Sequence, residues 1–305
     1  MAYREDCDLA FLGKLKSKEL DDLVYILTHD KKGNMRLTEE LSTNDEYKKY
    51  YPHHSLYWKE IAGELQCYGA NSISTIFRRG KGVKYREILI DVCNKLKVNF
   101  NSNASVEILE QNLLMKILED AIDNMSSDEI SEFVREVGIP QPNILNKKLL
   151  FNTCRTIFTK GGFKSYQLTV IIANSVLKTL IGRGLTLAGN ATLTKSMSLL
   201  VGPVGLVING VWTLIDIASS AYRVTIPSVI QIAVMRQQYN NSLLNKSENV
   251  TYNLNAKEII SCLGCGQKVR LPSNKKHLIF TCPSCKKKWK WNNPKFNKIK
   301  NIDFV

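Results

Sequence analysis

The sequence lacks the residue patterns of the commonest catalytic sites. It contains no HExxH motif, no GxSxG motif and no GxxxxGK[ST] phosphate loop. Histidine is scarce, and His29, His53, His54 and His277 are the complete set. His53 and His54 lie between a Tyr-Pro pair and a serine, which indicates a loop before a helix and not a metal site. We therefore expect that this protein is not an enzyme.

A secretory signal is also missing at the N-terminus. The chain turns acidic at Glu5 and Asp6, and no apolar run follows a basic start. The resulting expectation is a cytoplasmic protein, either peripheral to the inner membrane or inserted in it where the apolar stretch described below engages lipid.

Negative charge is scarce at the C-terminal end. Lys257–Val305 contains twelve Lys and Arg residues against Glu258 and Asp303, a formal charge of +10 out of +14 for the 305-residue chain. The rest of the chain is close to neutral by comparison, so this tail is the basic module.

Charged residues are almost absent from one long stretch. Ser196–Met235 spans forty positions and contains only Asp216 and Arg223 as charged residues. Gly202-Pro203 and Ile226-Pro227 divide it, because proline is tolerated at the first position of a helix and disfavoured inside one. The helix expected from Pro203 is about 28 Å long, against a hydrocarbon thickness of about 30 Å. The stretch is the core of a helical domain, a membrane-inserting hairpin or a groove for hydrophobic client segments.

One face of this expected helix is polar. Its members follow at steps of four, three, four and three residues, and they are Asn209, Thr213, Asp216, Ser220 and Arg223. The other faces are apolar, and the residues expected to contact a membrane or hydrophobic partner are Val207, Val211, Trp212, Leu214 and Ile215. Buried polar groups are costly without hydrogen bonds, so the polar face needs a partner.

Two cysteine pairs give the strongest chemical signal. Cys262 and Cys265 form one CxxC pair, Cys282 and Cys285 form another, and sixteen residues separate the pairs. Each CxxC makes a tight turn whose thiolates converge, and Gly266 allows the positive φ that such a turn often needs. Short strands are expected at Lys268–Leu271, His277–Thr281 and Lys287–Trp291.

These cysteines predict a zinc ribbon. Four cysteines complete a tetrahedral shell and leave no position for water, so the expected Zn²⁺ is structural. His277 is a conceivable substitute ligand, but it is expected to be an ordinary strand residue. A disulfide pair or a redox site is the alternative for the cysteines.

Lysines and tryptophans follow the second CxxC pair directly. Lys286, Lys287, Lys288, Trp289, Lys290 and Trp291 combine cations with aromatic rings, as single-stranded nucleic acids require for phosphate contact and base stacking. The alternative is that a tryptophan packs over the ribbon core while the lysines are solvated. Nucleic acid and a protein partner are both open for this surface.

The whole chain is expected to be mainly α-helical. The predicted segments are an N-terminal helical domain at 1–102, a helical pair and linker at 103–146, an apolar helical hairpin region at 147–241, a linker at 242–256 and the zinc ribbon with its basic tail at 257–305. Helix starts are expected at Ser17, Ser105 and Ser126. The fold class is thus a multi-helical domain with a Gly/Ala-rich apolar hairpin, plus a small C-terminal β ribbon.

Four segments carry a resemblance to a known family. They are Trp58–Gln66, Gly69–Ile73, Tyr85–Leu89 and Ala221–Ala233. Over roughly residues 5–240 the chain resembles the bacterial YaaW-like proteins. That family is grouped with the ubiquinol–cytochrome c chaperone proteins, which assist assembly of a membrane respiratory complex. The resemblance implies an assembly role and supplies no enzymatic activity, and the zinc ribbon departs from the short family members as an added module.

These patterns give one expected function and two alternatives. The expectation is a non-enzymatic, chaperone-like assembly protein whose apolar region engages a membrane or a hydrophobic protein client, with the zinc ribbon as binding module. A membrane-perturbing effector of toxin or defence type would instead insert the 166–235 hairpin. A nucleic-acid-binding regulator would act through the basic ribbon. A homo-oligomer is a further open expectation.

Overall fold

Two units of different secondary structure make up the chain, Met1–Ser242 and Leu243–Val305. The computed structural model describes residues 3–72, 82–139, 146–186, 202–203, 221–248, 257–272, 277–292 and 302–304. Within those ranges the first unit is helical, and the second contains antiparallel strands after the end of the last helix. The predicted fold class, mainly α with a small C-terminal β region, is confirmed.

The described residues contain nine α-helices. They are α1 (Ser17–Thr28), α2 (Asp45–Tyr50), α3 (Trp58–Ser72), α4 (Tyr85–Lys95), α5 (Val106–Asp123), α6 (Ser127–Val137), α7 (Lys147–Lys160), α8 (Gly162–Ile181) and α9 (Tyr222–Glu248). Short 3-10 helices lie at Ala10–Lys14, Leu41–Thr43 and His54–Tyr57. Among these helices, none combines the length and the apolar character needed to cross a bilayer.

Two of the three predicted helix starts are confirmed. Ser105 Oγ accepts a hydrogen bond from the backbone N–H of Ile108 at 3.5 Å and caps α5. At α6, Ser126 Oγ accepts from Glu129 N at 3.3 Å while the Glu129 carboxylate accepts from Ser126 N at 2.8 Å. This reciprocal pair is a capping box, which satisfies donors that the first helical turn leaves unpaired.

The prediction that Ser17 caps α1 is wrong. Ser17 is the first residue inside the helix, and its hydroxyl hydrogen-bonds to Ser55 Oγ at 2.9 Å. The N-cap position belongs to Lys16, whose backbone N–H donates to the Glu19 carboxylate at 2.6 Å. A contact with a residue 38 positions away therefore decides the role of this serine.

One hydrophobic cluster forms the core of the first unit. It extends from Leu9 to Met235 and includes side chains from all three predicted segments 1–102, 103–146 and 147–241. The first helix of the predicted hairpin 166–235 is α8, which ends before Gly182 and is mostly buried. Gly182 has φ +77°, and a Cβ there would collide with the carbonyl oxygen of Lys31, so this helix end requires glycine.

Helix α9 begins earlier than the proline signal predicts. The prediction placed a helix start at Ile226-Pro227, whereas α9 begins at Tyr222 and contains Pro227 in its second turn. The N–H groups of Val224 and Thr225 already donate to Ala221 O at 3.0 and 2.8 Å. Pro227 lies beyond the first turn, so the helix lacks the bond that an N–H at this position would donate to the carbonyl of Arg223, and α9 continues past this gap.

Most of the predicted apolar hairpin cannot be compared with the structure. Val207, Asn209, Val211, Trp212, Thr213, Leu214, Ile215, Asp216 and Ser220 lie outside the described residues. Arg223, the last member of the predicted polar face, is exposed in the first turn of α9. The linker predicted at 242–256 begins within α9, which continues to Glu248.

The described strands of the second unit form two small antiparallel sheets. β1 (Lys257–Ser261) pairs with β2 (Lys268–Pro272), while β3 (His277–Thr281) pairs with β4 (Lys288–Asn292), and β4 pairs with β5 (Ile302–Phe304). The three predicted strands are β2, β3 and β4, each within one residue of the expected bounds. Strands β1 and β5 were not predicted.

Candidate metal centre and a buried ion pair

Each CxxC pair forms the turn of one β-hairpin. Cys262 N donates to Gln267 O at 2.9 Å, and Gly266 N donates to Cys262 O at 2.8 Å. The second turn repeats these bonds, from Cys282 N to Lys287 O at 3.0 Å and from Lys286 N to Cys282 O at 3.0 Å. The backbone of each turn therefore positions both of its thiols at one end of a hairpin.

Both turns use a residue with positive φ directly after the second cysteine. Gly266 has φ +72°, as predicted from its need for left-handed backbone, and Lys286 occupies the same place with φ +61°. This left-handed region is favourable for glycine, tolerated by asparagine and aspartate, and unfavourable for other residues. The second turn therefore has the same geometry as the first, although a lysine with positive φ costs free energy locally.

The four thiols converge on one point. Cys262 Sγ lies 3.7 Å from Cys285 Sγ, and Cys265 Sγ lies 3.7 Å from Cys282 Sγ. All four sulfur atoms lie within 4.8 Å of one another. Tetrahedral coordination at about 2.3 Å from a central metal separates sulfur atoms by about 3.8 Å. The cluster can therefore bind a metal ion without rearrangement of its turns.

The two hairpins are related by a shift of twenty residues. The shift superposes Ile259 on Ile279, Ser261 on Thr281, Cys262 on Cys282, Cys265 on Cys285, Lys268 on Lys288, Arg270 on Lys290 and Leu271 on Trp291. The register agrees with this relation, since Ile259 pairs with Arg270 and Ile279 pairs with Lys290. The unit is an internal repeat in which each copy contributes one pair of thiols.

The two tryptophans of the basic segment pack inside the unit. Trp289 is 5% exposed and Trp291 is 1% exposed, and Trp289 contacts the buried Cys262 and Cys282. Lys286, Lys287, Lys288 and Lys290 are exposed. The cationic part of the predicted nucleic-acid surface is therefore accessible, whereas both aromatic rings are removed from it. His277 is exposed at the start of β3 and is not part of the four-thiol cluster.

A second polar cluster, which the sequence analysis missed, lies in the core of the helical unit. Arg236 Nε on α9 donates to both carboxylate oxygens of Glu110 on α5 at 3.1 Å, and both side chains are nearly inaccessible. Tyr85 OH on α4 donates to Glu110 Oε1 at 2.6 Å. A second nitrogen of Arg236, Nη2, donates to Asp8 O at 2.8 Å.

Burial and charge act in opposite directions on this cluster. Burial raises the pKa of the Glu110 carboxyl, and Arg236 together with the Tyr85 hydroxyl opposes that rise. Burial also raises the pKa of Tyr85 far above its ordinary value, so the phenol remains protonated and donates to Glu110. Burial lowers the pKa of Arg236, but the Glu110 charge outweighs it and the net direction is upward. The cluster is a hydrogen-bonded connection between helices.

Fold and site together define a helical protein with a C-terminal four-thiol unit. Comparisons with known proteins identify its family. The family model described as Ubiquinol-cytochrome C chaperone matches residues 53–230, and the model described as Domain of unknown function (DUF3944) matches residues 3–37. The four-thiol unit lies outside both ranges. No solved structure matches the chain significantly.

Curated relatives identify the family. A UPF0174 protein of Helicobacter pylori strain J99 is 50% identical over 236 residues, which cover 77% of this chain and 93% of the relative. The UPF0174 protein YaaW of Escherichia coli K12 is 35% identical over 240 residues, covering 77% of this chain and 95% of YaaW. This chain belongs to the UPF0174 family, and the predicted YaaW-like resemblance is confirmed.

Proposed function

We propose that this protein is a non-enzymatic assembly factor whose helical unit holds a hydrophobic segment of a client protein at the membrane. The observation that carries the proposal is the match of residues 53–230 to the Ubiquinol-cytochrome C chaperone model. That range contains most of the apolar stretch Ser196–Met235, in which hydrophobic side chains far exceed those of an ordinary surface.

One face of α9 supports a binding role. The side-chain oxygens of Thr225, Ser228 and Gln231 are buried, and none has a hydrogen-bond partner among the residues that the structure describes. Their spacing of three residues places them along one side of the helix. An unpaired buried polar group costs about 1–3 kcal/mol. A client segment that donates hydrogen bonds to these three oxygens would therefore bind favourably against this face of α9.

A synthetic peptide tests the client-holding role. The probe is a twenty-residue Leu/Ala helix flanked by lysines, and the measurement is how much of it stays in solution after centrifugation with the full chain. We expect the protein to retain the peptide and Trp212→Arg to lose most of this effect. Leu37→Arg is the matched control, because Leu37 is fully exposed. Equal precipitation with and without the protein would refute the proposal.

The α9 face has its own variant in the same assay. Thr225→Val combined with Ser228→Ala removes two unpaired hydroxyls, and it should raise the free energy of unfolding while lowering peptide retention. An increase in stability with unchanged retention would show that this face does not take part in client binding.

The four-thiol cluster is proposed as a structural zinc site. Cys262, Cys265, Cys282 and Cys285 supply four thiolates, the donor set that zinc prefers at closed tetrahedral positions. Zinc supplies a cross-link between the two hairpins and has no open position for substrate. Structural zinc contributes on the order of 10 kcal/mol of folding free energy in small domains, which suits a unit with few buried apolar residues.

Metal analysis tests the zinc assignment. We expect one zinc per purified chain by inductively coupled plasma mass spectrometry, and none after Cys282→Ser combined with Cys285→Ser. Cys67→Ser, which changes a half-buried thiol of α3 outside the four-thiol cluster, should keep its zinc. A metal-free wild type, or a double variant that retains full zinc, would contradict the assignment.

A further inference from the structure

The two hairpins of the second unit present the same exposed face. Ile259 is 57% exposed and lies opposite Arg270, while Ile279 is 62% exposed and lies opposite Lys290. An isoleucine on the outer side of a short strand loses the stabilisation that burial would give it. Each copy of the repeat nevertheless holds isoleucine at this position, with a cation directly across the strands.

The next outward positions repeat the same chemistry. Ser261 pairs with Lys268 in the first hairpin, and Thr281 pairs with Lys288 in the second. All four side chains are exposed, whereas the alternate positions Leu271 and Trp291 point inward and are buried. Each face therefore combines one aliphatic side chain, one hydroxyl and two cations. We call these surfaces the isoleucine–cation faces.

The charge of both faces is positive. Lys268 and Arg270 give the first face two cations, and Lys288 and Lys290 do the same for the second. The backbone register pairs Lys290 of β4 with Asp303 of β5. A partner with complementary charge is acidic.

The accessible apolar residues decide between two acidic partners. Nucleic acid gains from aromatic rings on which bases stack, but Trp289 and Trp291 are buried. A branched aliphatic side chain offers no such stacking surface, whereas it readily packs against leucine or valine of a protein. Each isoleucine lies directly across the strands from a cation, so a segment that alternates acidic and apolar residues can contact both.

We propose that the isoleucine–cation faces dock an acidic protein segment that also carries aliphatic side chains. This inference rests on the proposed function of the second unit as a zinc ribbon that serves as binding module. It adds the kind of partner and the residues that contact it, which are Ile259, Lys268, Arg270, Ile279, Lys288 and Lys290.

Fluorescence anisotropy with three labelled probes tests the proposal on the full chain. The probes are a twelve-residue Glu–Leu alternating peptide, a Glu–Ser peptide of equal charge, and a twenty-nucleotide oligo(dT). We expect the Glu–Leu peptide to bind about five- to tenfold more tightly than the Glu–Ser peptide, because each buried isoleucine adds apolar contact. Ile259→Ser with Ile279→Ser should abolish that difference. Arg270→Gln with Lys290→Gln should weaken both peptides.

One control variant and the zinc content make the outcome of this experiment decisive. Leu263→Ser changes an apolar residue of the first turn that is 63% exposed and lies off the faces, so it should leave binding unchanged. Tighter binding of oligo(dT), insensitive to the isoleucine variants, would establish a nucleic-acid surface and overturn the inference. Weak binding of all three probes by chains that hold one zinc would also overturn it, while the zinc assignment would stand. A wild-type chain without zinc would instead refute the proposed zinc site, on which this inference rests.

Discussion

Arg236 donates from Nε to both carboxylate oxygens of Glu110 at 3.1 Å, which joins α9 to α5 across 126 positions of the sequence. Both side chains are buried, and Tyr85 completes the coordination of the carboxylate from α4. Arg236 also reaches Asp8 O near the N-terminus. This cluster fixes the position of α9, whose first half belongs to the apolar stretch Ser196–Met235.

Removal of one partner of this ion pair should lower the free energy of unfolding severely, whereas removal of both partners should not. Arg236→Met leaves the Glu110 charge buried without its partner and should cost about 3–5 kcal/mol of unfolding free energy in urea titrations. Arg236→Met combined with Glu110→Leu should recover most of this loss, because no buried charge remains. Equal losses in the single and double variants would show that the pair contributes through packing and not through charge.

The stability of the helical unit should fall as pH rises, in part because of Glu64. Burial raises the pKa of this carboxyl from 4.5 to about 7, and within the described part of the chain its Oε2 is buried without a hydrogen-bond partner. A raised folded-state pKa means that the native chain holds the proton more tightly, so the contribution is present below pH 4.5 and is lost as pH rises through 7.

The variant Glu64→Gln isolates this effect. At pH 8 its free energy of unfolding should exceed that of the wild type by about 2–3 kcal/mol, and at pH 4.5 the difference should vanish. Glu60→Gln on the same helix is half-buried and serves as the control. A Glu64→Gln variant with the same pH profile as the wild type would rule out this carboxyl as the source.

Gly266 tests the turn geometry apart from packing. A Cβ at this position would meet no atom within 4 Å, so only the φ of +72° opposes a side chain. Gly266→Val should cost about 1–2 kcal/mol and release zinc faster to a chelator, whereas Gly266→Asn should cost less, because asparagine tolerates left-handed backbone. Equal zinc release rates from the two variants would contradict the assigned conformation.

Signals confined to a few neighbouring residues predicted the structure well. Each CxxC spacing led to a tight turn that places two thiols together, and the serine at 126 led to a capped helix start, because each feature needs only its own turn. The Ser17 prediction failed because its hydroxyl bonds to Ser55, a partner that local sequence does not identify.

Long-range contacts explain most of what the sequence did not predict. Glu110 and Arg236 each interrupt an apolar pattern, and this was the available signal for a buried pair, but 126 residues separate them. Trp291 is a second example. The alternating pattern placed it on a strand, but the pattern does not show which face of that strand is buried.

Cell fractionation tests the central claim most directly, because it asks whether the apolar region holds the protein at a membrane-bound client. The full chain, a chain ending at Asn241 and the Trp212→Arg variant are expressed at equal levels, and the membrane and supernatant fractions are compared. We expect the first two in the membrane fraction, since the claim assigns this contact to the helical unit, and Trp212→Arg in the supernatant. Recovery of all three in the supernatant, with no retention of the Leu/Ala peptide by the full chain, would contradict the account.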